Sequence, residues 1–373
     1  MTTVAAAPAA TGATGVASAT RQPGRSRPAR PASDYSQILA TVQSMGLLRR
    51  RYGYYAIKIG LLFLALAGVW VGFAFLGNSW IQLALAVALA VVLTQIIFVS
   101  HDAAHRQIFA SNRANELTAL VLGTLFSGMS LSWWNSKHSK HHGAPNQIGK
   151  DPDIDASVVH FFPPQKLPRS RVLRFLHERQ GWWFFPLLLV EAVNLHVQSA
   201  IALATRTGTR RRRAEIIMMA VRWAAYPTIL FVFLSPGKAA AFLGVQLAVT
   251  GLYLGASFAA SHIGMPVLAR DARVDFLRRQ VLLSRNISGG RAASLAMGGL
   301  NYQIEHHLFP SMPRPSLRKV RPVVQAFCQE QQISYSEVTI FRAWAIVASY
   351  LNRVGLAGRD PFRCPLLNQF RTV

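Results

Sequence analysis

The chain has 373 residues, of which 51% are hydrophobic and 15% charged, with a mean hydropathy of +0.25 and a formal net charge of +25. Unbroken apolar runs of about 20 residues exclude a soluble two-domain protein and read as transmembrane helices. The arginines lie between and around those runs, where cytoplasmic loops of membrane proteins carry excess positive charge, so no nucleic-acid partner is expected.

Residues 1–33 are rich in Ala, Pro, Thr, Ser and Arg and lack an apolar centre. They are expected to be a disordered tail rather than a secretory signal, and their lack of acid leaves an organellar transit peptide open. "LLRRRYGY" then marks the cytoplasmic side. Two apolar runs, 55–76 and 80–100, are separated only by "GNS" and form a hairpin that returns "HDAAH" to that side. A second hairpin joins 214–234 to 239–262 through "SPGK", with "TGTRRRR" before it on the cytoplasmic side, so His262 also ends a helix there.

Two further apolar stretches, 117–134 and 182–204, fall between the hairpins. Either one, spanning alone, puts the histidine-rich segments on opposite sides of the membrane, so both are expected as in-plane or re-entrant segments. Glu191, Asn194 and His196 in the second stretch are polar packing or a contact with a substrate head group. The resulting expectation is an all-α, multi-pass integral membrane protein. It has four transmembrane helices, in-plane helices and a cytoplasmic helical cap. Its parts are the tail 1–33, a transmembrane and interfacial region 34–262, and the cap 263–373. Only Cys328 and Cys364 are present, without C-x-x-C spacing, which suits a reducing compartment and needs no disulfide.

Eight of the eleven histidines fall in four places: His101 and His105, His138 with His141 and His142, His262, and His306 with His307. Spacings of three and four put imidazoles on one helix face. Gln303 stands three before His306, as His138 stands three before His141. Imidazole is a ligand for zinc, copper, iron and nickel, and eight of them at one membrane face suggest two metal ions. The spacing matches neither H-E-x-x-H peptidases nor the Cys/His patterns of structural zinc.

"HDAAH", "HSKHHGAPN" and "QIEHHLFP", in this order, resemble the three histidine boxes of the membrane fatty-acid desaturase family, the last in its Gln-containing form known from front-end and bacterial acyl-CoA desaturases. The resemblance covers roughly residues 50–340. It implies that the box histidines bind two irons and that His262 completes the set. Gln303 stands where other branches have histidine, so ligation and hydrogen bonding to a ligand both stay open for it. Asp102, Asp153, Asp155 and Glu305 lie in or near the boxes and could orient ligating rings; for the last two acids of "DPDID" a polar turn explains them equally well. No catalytic group beyond the metal ligands is implied.

The implied reaction is removal of two neighbouring hydrogens from an acyl chain, as acyl-CoA or acyl lipid, with dioxygen reduced to water and a cis double bond formed. The nearest alternative is a lipid hydroxylase on the same scaffold, and a remote one is a metal-ion transporter. Trp133, Trp134 and His196, with Phe161, Phe162, Trp182 and Trp183, could line the substrate path or form an interfacial aromatic belt. Arg49–Arg51 and Arg210–Arg213 set topology or hold phosphate groups. The chain has no H-P-G-G cytochrome b5 signature and no flavin or iron–sulfur motif, so a separate ferredoxin, rubredoxin or cytochrome b5 with its reductase is expected. The expected location is a bacterial inner membrane with the site on the cytoplasmic face. Acid is expected to protonate the ligands and weaken metal binding.

Overall fold

A computed structural model of the chain describes residues 33–155, 158–163, 170–206, 208 and 210–357; of the tail expected over 1–33, residues 1–32 lie outside them, as does Cys364. After the short helix α1 (Asp34–Ser44), two long apolar helices, α2 (Tyr52–Leu76) and α3 (Gln82–Ala104), form the first hairpin. At 25 residues, α2 is about 37 Å long and exceeds the hydrocarbon thickness of a bilayer. Leu62, Leu66, Val69 and Phe73, at helical spacing, bury one face against Ala86, Leu89, Leu93 and Ile96 of α3. The other face leaves Ile57, Leu61, Leu64 and Phe75 exposed, as a lipid-facing surface does. The tight turn is sealed by the buried Gln82, whose amide donates to the carbonyls of Phe73 and Gly77, both at 2.8 Å. Those carbonyls belong to the last turn of α2 and to its cap residue, where helical partners run out.

Next come α4 (Asn112–Leu120), continued by a π-helical turn at Val121–Phe126, and α5 (Leu131–Gly143). The hydroxyls of Ser111 and Ser130 cap the two helices by accepting from the backbone N–H of Ala114 and Trp133. The pair bends by 113° at the break between them, so 117–134 does not run as one straight helix. Helices α6 (Arg171–Glu178), α7 (Gln180–Leu187) and α8 (Glu191–Thr205) lead to the second hairpin, α9 (Arg212–Phe233) and α10 (Pro236–His262).

Among the described residues five helical stretches are long and apolar enough to cross a membrane, one more than the four expected, and the chain is a membrane protein. The additional one is Gln180–Thr205, which is interrupted by a single tight turn at Leu188–Val190. At that turn the chain crosses α10 at Gly251: a Cβ there would stand 2.4 Å from the Leu188 carbonyl oxygen. Both ends of the stretch lie at the level of the histidines. Gln180 donates to the Leu351 carbonyl, beside the last turns of α10, while the Leu203 carbonyl accepts from Arg212, the first residue of α9. A segment that starts and ends at the same level is not a single crossing.

The remaining residues build the cap: α11 (Phe276–Leu282), β1 (Asn286–Ser288), α12 (Gly290–Ala296), α13 (Gln303–Leu308), α14 (Arg314–Glu330), β2 (Glu337–Thr339) and α15 (Ile340–Ala357). The strands pair in parallel, with Asn286 opposite Glu337. Helix α1 packs into the same core, its Ile38 and Val42 against Leu277, Leu308, Val320 and Val324. The Tyr35 hydroxyl donates to the Leu308 carbonyl at 3.1 Å, tying α1 to the third box.

Candidate metal centre

Four elements converge where the two hairpins end. His101 and His105 leave the C-terminal end of α3, His138, His141 and His142 follow one another on α5, His262 is the last residue of α10, and His306 and His307 lie on α13. All eight come together, in two sets. His101, His105, His138, His142 and His306 form one; His141, His262 and His307 form the other, with potential ligand atoms inside each set within 4.8 Å of one another. Adjacent residues on a helix point about 100° apart. His306 and His307 accordingly serve different sets, and so do His141 and His142.

The nitrogen spacings suit a shared ion. Nε2 of His138 lies 2.8 Å from Nε2 of His105 and 3.0 Å from that of His142, and His141 Nε2 lies 3.4 Å from His262 Nε2. Two nitrogens each about 2.1 Å from one ion are separated by about 3.0 Å at a right angle and about 3.4 Å at the tetrahedral angle. Both ring nitrogens of His101 and Nε2 of His306 and His307 are buried with no protein partner, which suits groups facing a metal. Burial, and then the neighbouring imidazoles, pushes His138, His142, His306 and His307 well below the usual histidine range. Neutral imidazole is the form that ligates.

In the three-histidine set every Nδ1 has an oxygen partner. His141 Nδ1–H donates to Asp151 Oδ2 at 2.9 Å, with Asp153 Oδ2 at 3.2 Å; His307 Nδ1–H donates to Gln280 Oε1 at 2.9 Å; and His262 Nδ1–H to the Leu283 carbonyl at 3.2 Å. Each bond fixes the tautomer that leaves Nε2 free to ligate. Burial alone would lower His141, but Asp153 and Asp151 outweigh it and raise its pKa. Asp153, whose side chain is 40% exposed, is in turn held below the usual carboxylate range by Lys137 at 2.7 Å and by His141. The Gln303 amide lies 2.9 Å from His262 Nε2 and so belongs beside this set.

The other candidate acids do different work. Asp102 faces away from the rings and is held by Arg314 Nη2 at 2.6 Å and the Tyr55 hydroxyl at 3.2 Å, all three residues being buried. Its 3.7 Å separation from His101 Nδ1 is too long for a hydrogen bond. Glu305 points into the cap, where its oxygens accept from Asn286 Nδ2 and the Tyr335 hydroxyl, both at 2.7 Å. Burial raises its pKa, with the two hydrogen bonds opposing. Asp155 is exposed.

Among the aromatic candidates, Trp134 stacks on His138 at 4.2 Å and 22° and meets His101 edge-on at 5.4 Å. Trp133 is buried beneath Lys137, 5.9 Å from its ring centre. Trp182 and Trp183 are exposed. His196 Nε2–H donates to the Ser127 carbonyl at 2.9 Å and lines an apolar cavity of about 390 Å³ between α3, α8, α9 and α10. Ile97, also on its wall, is one helical turn from His101. Arg210 and Arg211 pair with Glu116.

Asp151, Gln280, Arg314, Tyr55, Asn286 and Tyr335 were not individually legible as parts of this centre. Asp151 opens "DPDID" and its acidity was the available signal; Gln280 and Arg314 carry none, because their partners are distant in sequence.

Apolar helices that present imidazoles in two convergent sets at their ends define a membrane protein with a candidate metal centre. A model of the family described as fatty acid desaturase matches residues 78–339, and the chain belongs to that family. It is 27% identical to Delta(8)-fatty-acid desaturase 2 of Arabidopsis thaliana, over 88% of this chain and 76% of that protein. It is 26% identical to the acyl-lipid (9-3)-desaturase of Borago officinalis over the same shares, and 30% identical to that of Physcomitrium patens over 74% of this chain and 54% of the other. The chain is accordingly a fatty acid desaturase acting on a lipid substrate at a membrane.

Proposed function

We propose that the two histidine sets each hold one iron ion and that the enzyme uses dioxygen to place a cis double bond in an acyl chain carried by coenzyme A or a lipid. The five-plus-three division of the eight imidazoles carries this proposal. Iron supplies what side-chain acids and bases cannot, the redox chemistry that breaks an unactivated C–H bond. The protein supplies orientation and a dry setting. Asp151, Gln280 and the Leu283 carbonyl hold three rings in the ligating tautomer, and Gln303 completes the three-histidine set as a ligand or as a hydrogen-bond donor. Trp134 walls the centre beside His138, and the cavity beyond Ile97, with His196 on its wall, takes the apolar part of the chain.

The arginine-flanked helix ends support a cytoplasmic placement of the centre, and we assign it to a bacterial inner membrane. His105, His138 and His142 are only half-buried, and the exposed Arg106 and Lys140 lie next to them in sequence. A basic rim of this kind suits an acidic ferredoxin, rubredoxin or cytochrome b5 as the separate electron donor. The test is metal content together with gas chromatography of host lipids, for the native enzyme and for His306→Ala. Two irons per chain and a new alkene, both lost in His306→Ala, are expected. An alcohol product would instead assign a hydroxylase, and a purified protein without transition metal would end the proposal.

A further inference from the structure

Helix α10 ends on His262 with Ala259, Ala260 and Ser261 of its last turn buried, so the carbonyls left open at its C-terminus need protein donors. One residue supplies most of them. Arg285 Nε and Nη2 donate to the Ala260 carbonyl at 3.0 and 2.6 Å, Nη2 also donates to the Ile263 carbonyl at 2.9 Å, and the Arg285 backbone N–H donates to the Ser261 carbonyl at 2.9 Å. The His262 carbonyl itself accepts from Asn146 Nδ2 at 3.0 Å. The bonds from Arg285 fall on both sides of His262 and clamp the backbone from which its ring projects.

The neighbours of Arg285 act on the same centre. Two residues before it, the Leu283 carbonyl accepts from His262 Nδ1–H at 3.2 Å; one residue after it, Asn286 Oδ1 accepts from the Ile304 N–H of α13 at 2.9 Å. The stretch 283–286 therefore ties the end of α10 to α13, where the His307 ring stands 4.8 Å from that of His262. Arg285 is 2% exposed, and among the described residues no carboxylate pairs with it. Burial lowers its pKa to about 10, so it stays charged at neutral pH. The helix C-terminus offsets about half a unit of that charge and leaves the rest beside the three-histidine set. A lysine in its place is a point charge, whereas the planar fork reaches Ala260 and Ile263 together.

We propose that Arg285 is a positioning residue: it fixes the direction in which His262 offers Nε2, and its uncompensated charge favours the ferrous state of the ion held by the three-histidine set. This rests on the assignment of iron to that set. A unit charge roughly 10 Å from a metal, at an effective dielectric constant of about 20, is worth on the order of tenfold in the ferrous–ferric balance. For one electron, tenfold is about 59 mV.

The experiment uses the full, iron-loaded chain in lipid nanodiscs. Released iron is followed in a chelator titration, and the ferrous fraction is followed against applied potential by Mössbauer spectroscopy. Arg285→Gln keeps an amide donor and loses the charge; Arg285→Lys keeps the charge and loses the fork. Both loosen the clamp, so in both half of the iron is expected to leave at about tenfold lower chelator while the other half keeps its native midpoint. Only Arg285→Gln is expected to lower the reduction midpoint of the affected half, by about 59 mV. A lower unfolding temperature with native release and native potential would make Arg285 a stabilising residue alone and overturn the proposal. Equal shifts of both halves, or equal potentials in the two variants, would overturn it as well. If Arg285→Gln does not fold, the release profile of Arg285→Lys decides on the same terms. A native chain without iron would end the assignment beneath the proposal, whereas a native chain with two irons and unaltered variants would end the proposal alone.

Discussion

Replacing Asp151 with asparagine preserves shape and removes charge at the residue that orients His141. Asp151 is 1% exposed and accepts three donors: His141 Nδ1–H at 2.9 Å and the Asn146 N–H at 2.7 Å on Oδ2, and the Asp153 N–H at 2.9 Å on Oδ1. Asparagine has one acceptor oxygen, so in either rotamer at least one of these donors faces an NH2 group. Losing one charge-assisted hydrogen bond in a buried setting costs about 2–3 kcal/mol. Transmitted through a ligand, such a loss lowers metal affinity about 10–100-fold. Asp153 Oδ2, 3.2 Å from the same nitrogen, remains and limits the damage, so a loss near tenfold is expected, ~1.4 kcal/mol. The assay is a chelator titration with released iron measured at each step. In Asp151→Asn half of the iron, that of the three-histidine set, should leave at about tenfold lower chelator, while the other half keeps its native midpoint. Coincident release of all the iron at the native midpoint would refute the assignment of Asp151 to His141.

Three further outcomes are expected. Arg314→Met leaves the Asp102 carboxylate buried without its cation and should cost about 3–5 kcal/mol of stability, most of it recovered when Asp102→Asn is added; a double variant whose losses simply add would contradict this, as read by denaturant unfolding. Gly251→Ala forces a Cβ against the Leu188 carbonyl and should lower stability by about 1–3 kcal/mol, whereas Gly244→Ala, with open space around it, should change stability by less than about 0.5 kcal/mol; equal thermal shifts would dismiss the crossing at Gly251. Because burial raises the Glu305 pKa above its ordinary 4.5, its contribution is fully present below that value and is lost as pH rises through the folded pKa. Glu305→Gln should therefore flatten the fall in stability with rising pH, and parallel pH–stability curves for the two proteins would argue against the shift.

The hairpins and the histidine boxes were legible because both are local signals. A run of apolar residues broken by "GNS" has to turn, and a spacing of three and four has to share a helix face. The same rule did not reveal the division into five and three. That division depends on how α5 and α13 are rotated against α3 and α10, which places His138 and His142 with His306 but His141 with His307. Gln280 and Arg314 were silent for a related reason: they meet His142 and Phe98 across 138 and 216 residues of chain, and no local pattern encodes such pairs. For Gln180–Thr205, length and hydropathy alone allow a crossing, and the in-plane or re-entrant expectation comes from keeping the histidine segments on one side. The backbone approach at Gly251 and the placement of both ends distinguish them.

Helix α13 supplies imidazoles to both sets, yet it comes late in the chain. About 165 residues separate His142 from His307, and at roughly 5–20 residues per second a ribosome needs on the order of 10–30 s to make them. Throughout that interval the first hairpin can already be threaded into the bilayer with its rings uncovered, awaiting their counterparts. Insertion of the first hairpin can therefore precede closure of both imidazole sets, and a nascent chain truncated before α13 would leave each set short of a ring.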